Sequence, residues 1–199
     1  MTRQFGCLDT KFGDIMKYDT DIFSNQYSIA ASFVQHLAYY RVGKLVYDRL
    51  ALKSPFWCAT LDAHLKVAAT QWCKVFGADG CNATHWKKTA TLDVEEAKTS
   101  FRLRLQSDGL KWPDWEKYHR SMLAFRNKYV AHTEIGFSDP VPNFDTALKV
   151  VYTYDEWVRD LIKPHLFLEF CLSQHFEDWK RAAEPLIEAA ILATAGMTE

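Results

Sequence analysis

Apolar residues recur at threes and fours along most of this chain, and no stretch alternates apolar with polar for long enough to make a strand. From about Asp21 to Leu52 the positions Ile29, Phe33, Leu37, Tyr40, Tyr47 and Ala51, with the Lys44 stem among them, form the stripe of a long amphipathic helix. Ser54-Pro55 stops that helix and starts the next, Ser54 as N-cap and Pro55 at the first helical position. The second helix carries Trp57, Leu61, Leu65, Ala68, Ala69, Trp72 and Phe76 and stops at Gly77. Gly77 to Thr84 reads as a loop, followed by His85-Trp86-Lys87-Lys88. Asp93 with Glu96 is a capping-box pattern for a short third helix to about Ser107, and Asp108-Gly109 turns the chain. A fourth helix starts near Pro113, with Trp115, Tyr118, Met122, Phe125, Tyr129 and Val130 as its stripe, and should end close to His132. Beyond a connection holding Pro140 and Pro142, a fifth runs from about Asp145 to Pro164. A last stretch, roughly Leu166 to Leu192, is expected to bend or reset at Pro185.

The expected fold is therefore all-α, an antiparallel helical bundle with extra flanking helices. Residues 1–20 show no period and read as an N-terminal arm, leaving 21–199 as a single helical domain. Aromatic residues make up 15% of the chain, seven of them Trp, a load suited to wide gaps between helices and in part to a dimer interface.

Composition narrows the chemistry. A formal net charge of -1 gives no global attraction to nucleic acid, so any such contact must come from local clusters of Lys and Arg. Five Cys with no CxxC pair and no secretory signal fit reduced thiols in a cytoplasm. His64, Cys73, Cys81 and His85 match no zinc finger or knuckle spacing, so neither a metal nor another cofactor is expected. No apolar run approaches ~18 residues, and no membrane span is expected. His36, His64, His119, His165 and His175 lie on helical stretches without a matching partner and read as core-edge or surface residues.

The chemistry concentrates in Arg126-Asn127-Lys128-Tyr129-Val130-Ala131-His132, where a permanent cation, an amide and an imidazole fall near a helix end. Those groups can grip a phosphate and move a proton near neutral pH without a metal. On a straight helix Arg126 and His132 point roughly 120° apart, so they converge only where the last turn frays or tightens. The plain alternative is a surface Arg126, a solvated Asn127, and a His132 that stabilises a helix C-terminus.

This segment resembles the HEPN superfamily signature, an Arg followed by His after four to six residues, with a polar residue directly after the Arg. The surroundings are similar to the abortive-infection U-type branch: Arg-Asn-Lys-x-x-Ala-His-Thr downstream of a loop with Gly77, Gly80 and His85-Trp86-Lys87-Lys88. The resemblance spans roughly residues 30 to 180. It implies a HEPN-like bundle that forms a homodimer, places two motifs across a two-fold axis, and cleaves RNA without metal in phage defence or as a toxin. An antitoxin or other defence-system protein belongs to the same set of implied partners. The implied roles are His132 as general acid/base, Arg126 on the scissile phosphate and Asn127 as the orienting amide. Lys128, Arg120, His85, Lys87 and Lys88 are the further candidates for RNA contact. The alternative within the family is a non-catalytic module for dimerisation, nucleotide or RNA binding. A toxin branch carries a modifiable Tyr two residues past the His; Glu134 stands there in this chain, so that regulatory route is not implied.

Overall fold

The structure, a computed structural model, describes residues 19–88, 94–131, 140–162 and 170–194. Six α-helices and no strand occur among the described residues: α1 (Thr20–Arg49), α2 (Pro55–Phe76), α3 (Val94–Ser107), α4 (Trp112–Phe125), α5 (Phe144–Ile162) and α6 (Leu172–Thr194). The architecture is the all-α bundle that the periodicity calls for. No helix among the described residues is long and apolar enough to cross a membrane.

Local chemistry sets most boundaries. Asp19 caps α1, its Oδ1 accepting from the backbone of Asp21 and Ile22 at 3.0 Å each, so the bundle begins one residue before the expected arm ends. Ser54 caps α2 through the Trp57 N–H, with Pro55 at the first position. Gly109 takes φ +82°, the left-handed value that the Asp-Gly turn requires. Pro185 lies inside α6, which continues from Leu172 to Thr194; the expected reset there does not occur. Asp93 and residues 166–169 lie outside the described residues.

Side-chain pairs fix the directions. Tyr27 near the start of α1 donates to the Phe170 carbonyl just before α6, and Arg49 at the end of α1 pairs with Glu188 late in α6, so these two helices run parallel. Tyr154 Oη donates to Gln26 Oε1 (2.5 Å) while Arg41 pairs with Asp145 (2.5 Å), which makes α5 antiparallel to α1. The short 50–54 connection makes α2 antiparallel to α1 as well. Trp72 against Tyr118 and Asp62 against Tyr129 set α4 antiparallel to α2. Arg104 forks between Glu156 and Asp160, clamping α3 on α5.

The aromatic load forms the core. Trp72, Phe76, Phe101, Trp115, Tyr154 and Trp157 are all nearly or fully buried, with ring pairs at 5.2 Å (Trp72–Phe76), 5.4 Å (Phe76–Tyr154) and 5.3 Å (Phe101–Trp157). Trp86 comes from the loop after α2 and reaches Phe101 at 4.6 Å, so that loop is part of the core.

Gly77 ends α2 with its N–H on the Cys73 carbonyl at 2.9 Å. A Cβ there would stand 2.3 Å from that same carbonyl oxygen, whereas at Gly80 it would meet nothing within 4 Å. We expect Gly77→Ala to destabilise the fold by roughly 1–3 kcal/mol in urea denaturation, and Gly80→Ala to leave the midpoint nearly unchanged. Equal effects would show that the close approach at Gly77 is relieved elsewhere.

Candidate functional site

The α winding of α4 ends at Phe125, and Arg126–Ala131 continue as one π-helical turn with i→i+5 bonding. The sequence anticipated an α-helix to about His132 whose last turn frays or tightens; over Arg126–Ala131 the turn widens. Such turns occur frequently at functional positions. His132 and Glu134 lie outside the described residues, so the meeting of Arg126 with His132 is not described.

Contacts with α2 hold this turn. Tyr129 Oη donates to Asp62 Oδ1 at 2.6 Å, and Lys66 pairs with the other oxygen of Asp62 at 2.8 Å. The Lys66 ammonium also lies 4.9 Å from the centre of the Tyr129 ring, whose other neighbour is Phe125, stacked at 5.0 Å. The hydrogen bond to Asp62, then burial, pushes the Tyr129 phenol up to about 12, which keeps it a donor at any physiological pH. Three residues earlier, Arg126 is half-buried and faces the Cys73 thiol of α2. Burial drives that thiol up to about 11 against the opposing pull of the guanidinium. Arg126 Nε is buried with no hydrogen-bond partner among the described residues. Asn127 and Lys128 are exposed.

The second group of candidates docks on the same helix. Cys73 and Gly77 are one turn apart on α2, about 6 Å along its axis. The Gly77 carbonyl accepts from His85 Nε2 and from His119 Nε2, each at 3.2 Å. The loop after α2 and the α4 motif, distant in sequence, thus share the last turns of α2. Within the loop, His85 is only 2% exposed. Its Nδ1 accepts from the Lys87 N–H (3.3 Å) while Nε2 donates to Gly77, which fixes the neutral tautomer. Burial holds it down to about 4, partly offset by Asp79. In this position His85 cannot stack on a base; it locks the loop. Lys87 is tied to Asp79 at 3.0 Å, whereas Lys88 and Arg120 are exposed.

Among the described residues no group of three or more His, Cys, Asp or Glu converges as a metal site. No protein-family model, no curated protein and no solved structure matches the chain.

Two elements of this site escaped the sequence reading. Asp62 carries no signal beyond an acid paired four residues on with Lys66, and Cys73 reads as a small buried hydrophobe; Tyr129 and Arg126, which they meet, lie more than fifty residues away.

Tyr129→Phe removes one hydrogen bond to a carboxylate and should cost roughly 1–2 kcal/mol. Amide exchange should accelerate over 126–131 and not in α1. Uniform protection in the variant would remove the brace from the account.

The pH dependence has a definite sign. His85 binds its proton less tightly folded than unfolded, as do His36 and His64, where burial also lowers the value. The unfolded chain therefore takes up more protons, and stability contributed by neutral His85 is complete above about 6.5 and declines as the pH falls toward about 4. Urea midpoints should drop across that window, and His85→Gln should flatten the slope. A midpoint that holds steady from pH 7 to 5 would contradict the assignment.

Proposed function

We propose that the protein is a metal-independent endoribonuclease of phage-defence or toxin type, working through a composite site between two copies of the chain. The observation that carries this reading is the placement of Arg126-Asn127-Lys128 on a π-helical turn braced against α2, with Asn127 and Lys128 open to solvent. The motif's resemblance to the HEPN signature, and an all-α bundle that delivers it from the end of α4, support the same reading.

Cutting RNA without metal needs a base for the 2′-hydroxyl proton, an acid for the leaving 5′-oxygen, and a cation for the phosphorane. One motif has one imidazole and one guanidinium. Two copies related by a two-fold axis supply both proton-transfer groups and two clamps. In this scheme His132 is the general acid/base, Arg126 binds the scissile phosphate and Asn127 orients it. Lys128 adds charge, with Lys88 and Arg120 as outer contacts. The products are a 2′,3′-cyclic phosphate and a 5′-hydroxyl. Free thiols at Cys58, Cys73, Cys81 and Cys171 agree with a cytoplasmic setting. An antitoxin or other defence-system protein fits as a restraining partner.

A second reading, a non-catalytic HEPN-like module for dimerisation or nucleotide binding, draws on two observations. Arg126 is half-buried against Cys73, and the net charge of -1 gives no global attraction to nucleic acid.

Both readings meet one assay. Cleavage of a fluorescent RNA in EDTA should fall at least a hundredfold with His132→Ala or Arg126→Ala, consistent with the usual contribution of a general acid/base, while circular dichroism stays unchanged. Light scattering should report a dimer. Wild-type protein that dimerises yet leaves RNA intact would select the second reading.

A further inference from the structure

His36 on α1 and His64 on α2 have no partner in the sequence pattern, but the bundle brings their Nδ1 atoms to 2.8 Å. The rings are tilted with centroids 5.0 Å apart, and Tyr39 stands edge-on to His64 at 5.6 Å, its hydroxyl accepting from Gln35. Both histidines are half-buried, so solvent reaches the pair from one side. Two neutral imidazoles share this contact as a single N–H···N hydrogen bond, one Nδ1 donating and the other accepting. Among the described residues no Asp, Glu or Cys joins the two rings as a third ligand; burial lowers both proton affinities, and His36 lowers that of His64 further.

We infer that His36 and His64 form a two-imidazole site for a late first-row divalent cation, with Cu2+ preferred. Three features of the pair lead there. Neutral imidazole nitrogens without an oxygen ligand suit Cu, Ni and Zn and disfavour Mg and Ca, which demand oxygen shells. Spacing discriminates among the suitable ions. With bonds of about 2.0 Å, cis ligands at a right angle stand about 2.8 Å apart, whereas tetrahedral ligands stand about 3.3 Å apart. The 2.8 Å spacing matches the cis edge of a tetragonal Cu2+ or Ni2+ site, and a tetrahedral Zn2+ needs the two nitrogens about 0.5 Å further apart. Proton balance is also simple. The donating ring moves its hydrogen from Nδ1 to Nε2, both Nδ1 lone pairs then face the ion, and no net proton is released. Water completes the coordination from the open side. The site lies outside the Arg126 motif and does not depend on RNA cleavage.

The test uses chelator-treated full-length protein in which every accessible thiol, Cys58 and Cys81 among them, has been alkylated. Titration with CuCl2, NiCl2, ZnCl2 and MgCl2 should give one tight equivalent, ranked Cu2+ first and Mg2+ absent. His36→Gln and His64→Gln should each weaken Cu2+ at least tenfold. The wild type supplies a second readout that does not depend on a variant's folding: 15N shifts of the His36 and His64 imidazoles should move on Zn2+ addition while His119 stays put. Affinity that is unchanged in both folded variants, unmoved wild-type imidazole shifts, or no binding below millimolar Cu2+ would each overturn the site. RNA cleavage is not among the readouts, so failure here is distinct from failure of the ribonuclease reading.

Discussion

A fully buried glutamine amide holds the bundle to the loop that carries half of the candidate site. Gln26 on α1 is 0% exposed; its Oε1 accepts from Tyr154 of α5 and its Nε2 donates to the His85 carbonyl at 2.8 Å. Burying an amide is favourable only when its donors and acceptors are matched, since an orphaned one costs about 1–3 kcal/mol. The chain of polar contacts continues: His85 Nε2 donates to Gly77, and His119 of α4 donates to the same carbonyl. Helices α5, α1, α2 and α4 are thereby linked through one loop in a low-dielectric interior, where hydrogen bonds strengthen one another. The aromatic core packs around this line.

A similar device starts α6. Asp155, buried within α5, accepts from the Leu172 N–H at 2.9 Å with one oxygen and from Arg159 Nε at 3.0 Å with the other. Arg159 and Tyr27 both donate to the Phe170 carbonyl, so α6 begins where α1 and α5 converge. Capping by a residue from another helix satisfies the orphan donors at a helix start as a local cap would. It also fixes the position of α6 relative to α5.

At the motif, sequence and structure contribute different things. The order Arg-Asn-Lys, its place at the end of α4, and the apolar stripe leading to it are all legible in the chain. The π-helical winding is not, nor is the contact of its Tyr129 with Asp62 and Lys66 on α2. Nor does the sequence show that Arg126 leans on Cys73, which sets how much of the guanidinium faces outward. His85, a candidate for RNA contact beside two lysines, is held in the core by its tertiary contacts.

Helix positions, the Ser54 and Gly77 caps and the all-α class were determined by the sequence alone, since a 3.6-residue apolar period and Ser, Pro or Gly at the ends act within a few residues. Pro185 was the exception: a bend or a reset is expected there, and α6 runs through it without a reset. Which polar groups meet was decided only by the tertiary structure: Gln26 with His85, Asp155 with Leu172, His36 with His64, Tyr129 with Asp62. Those pairs join residues on separate helices or turns, and their distances follow from helix rotation and axial offset. No local rule encodes these; packing of the buried aromatic rings sets them.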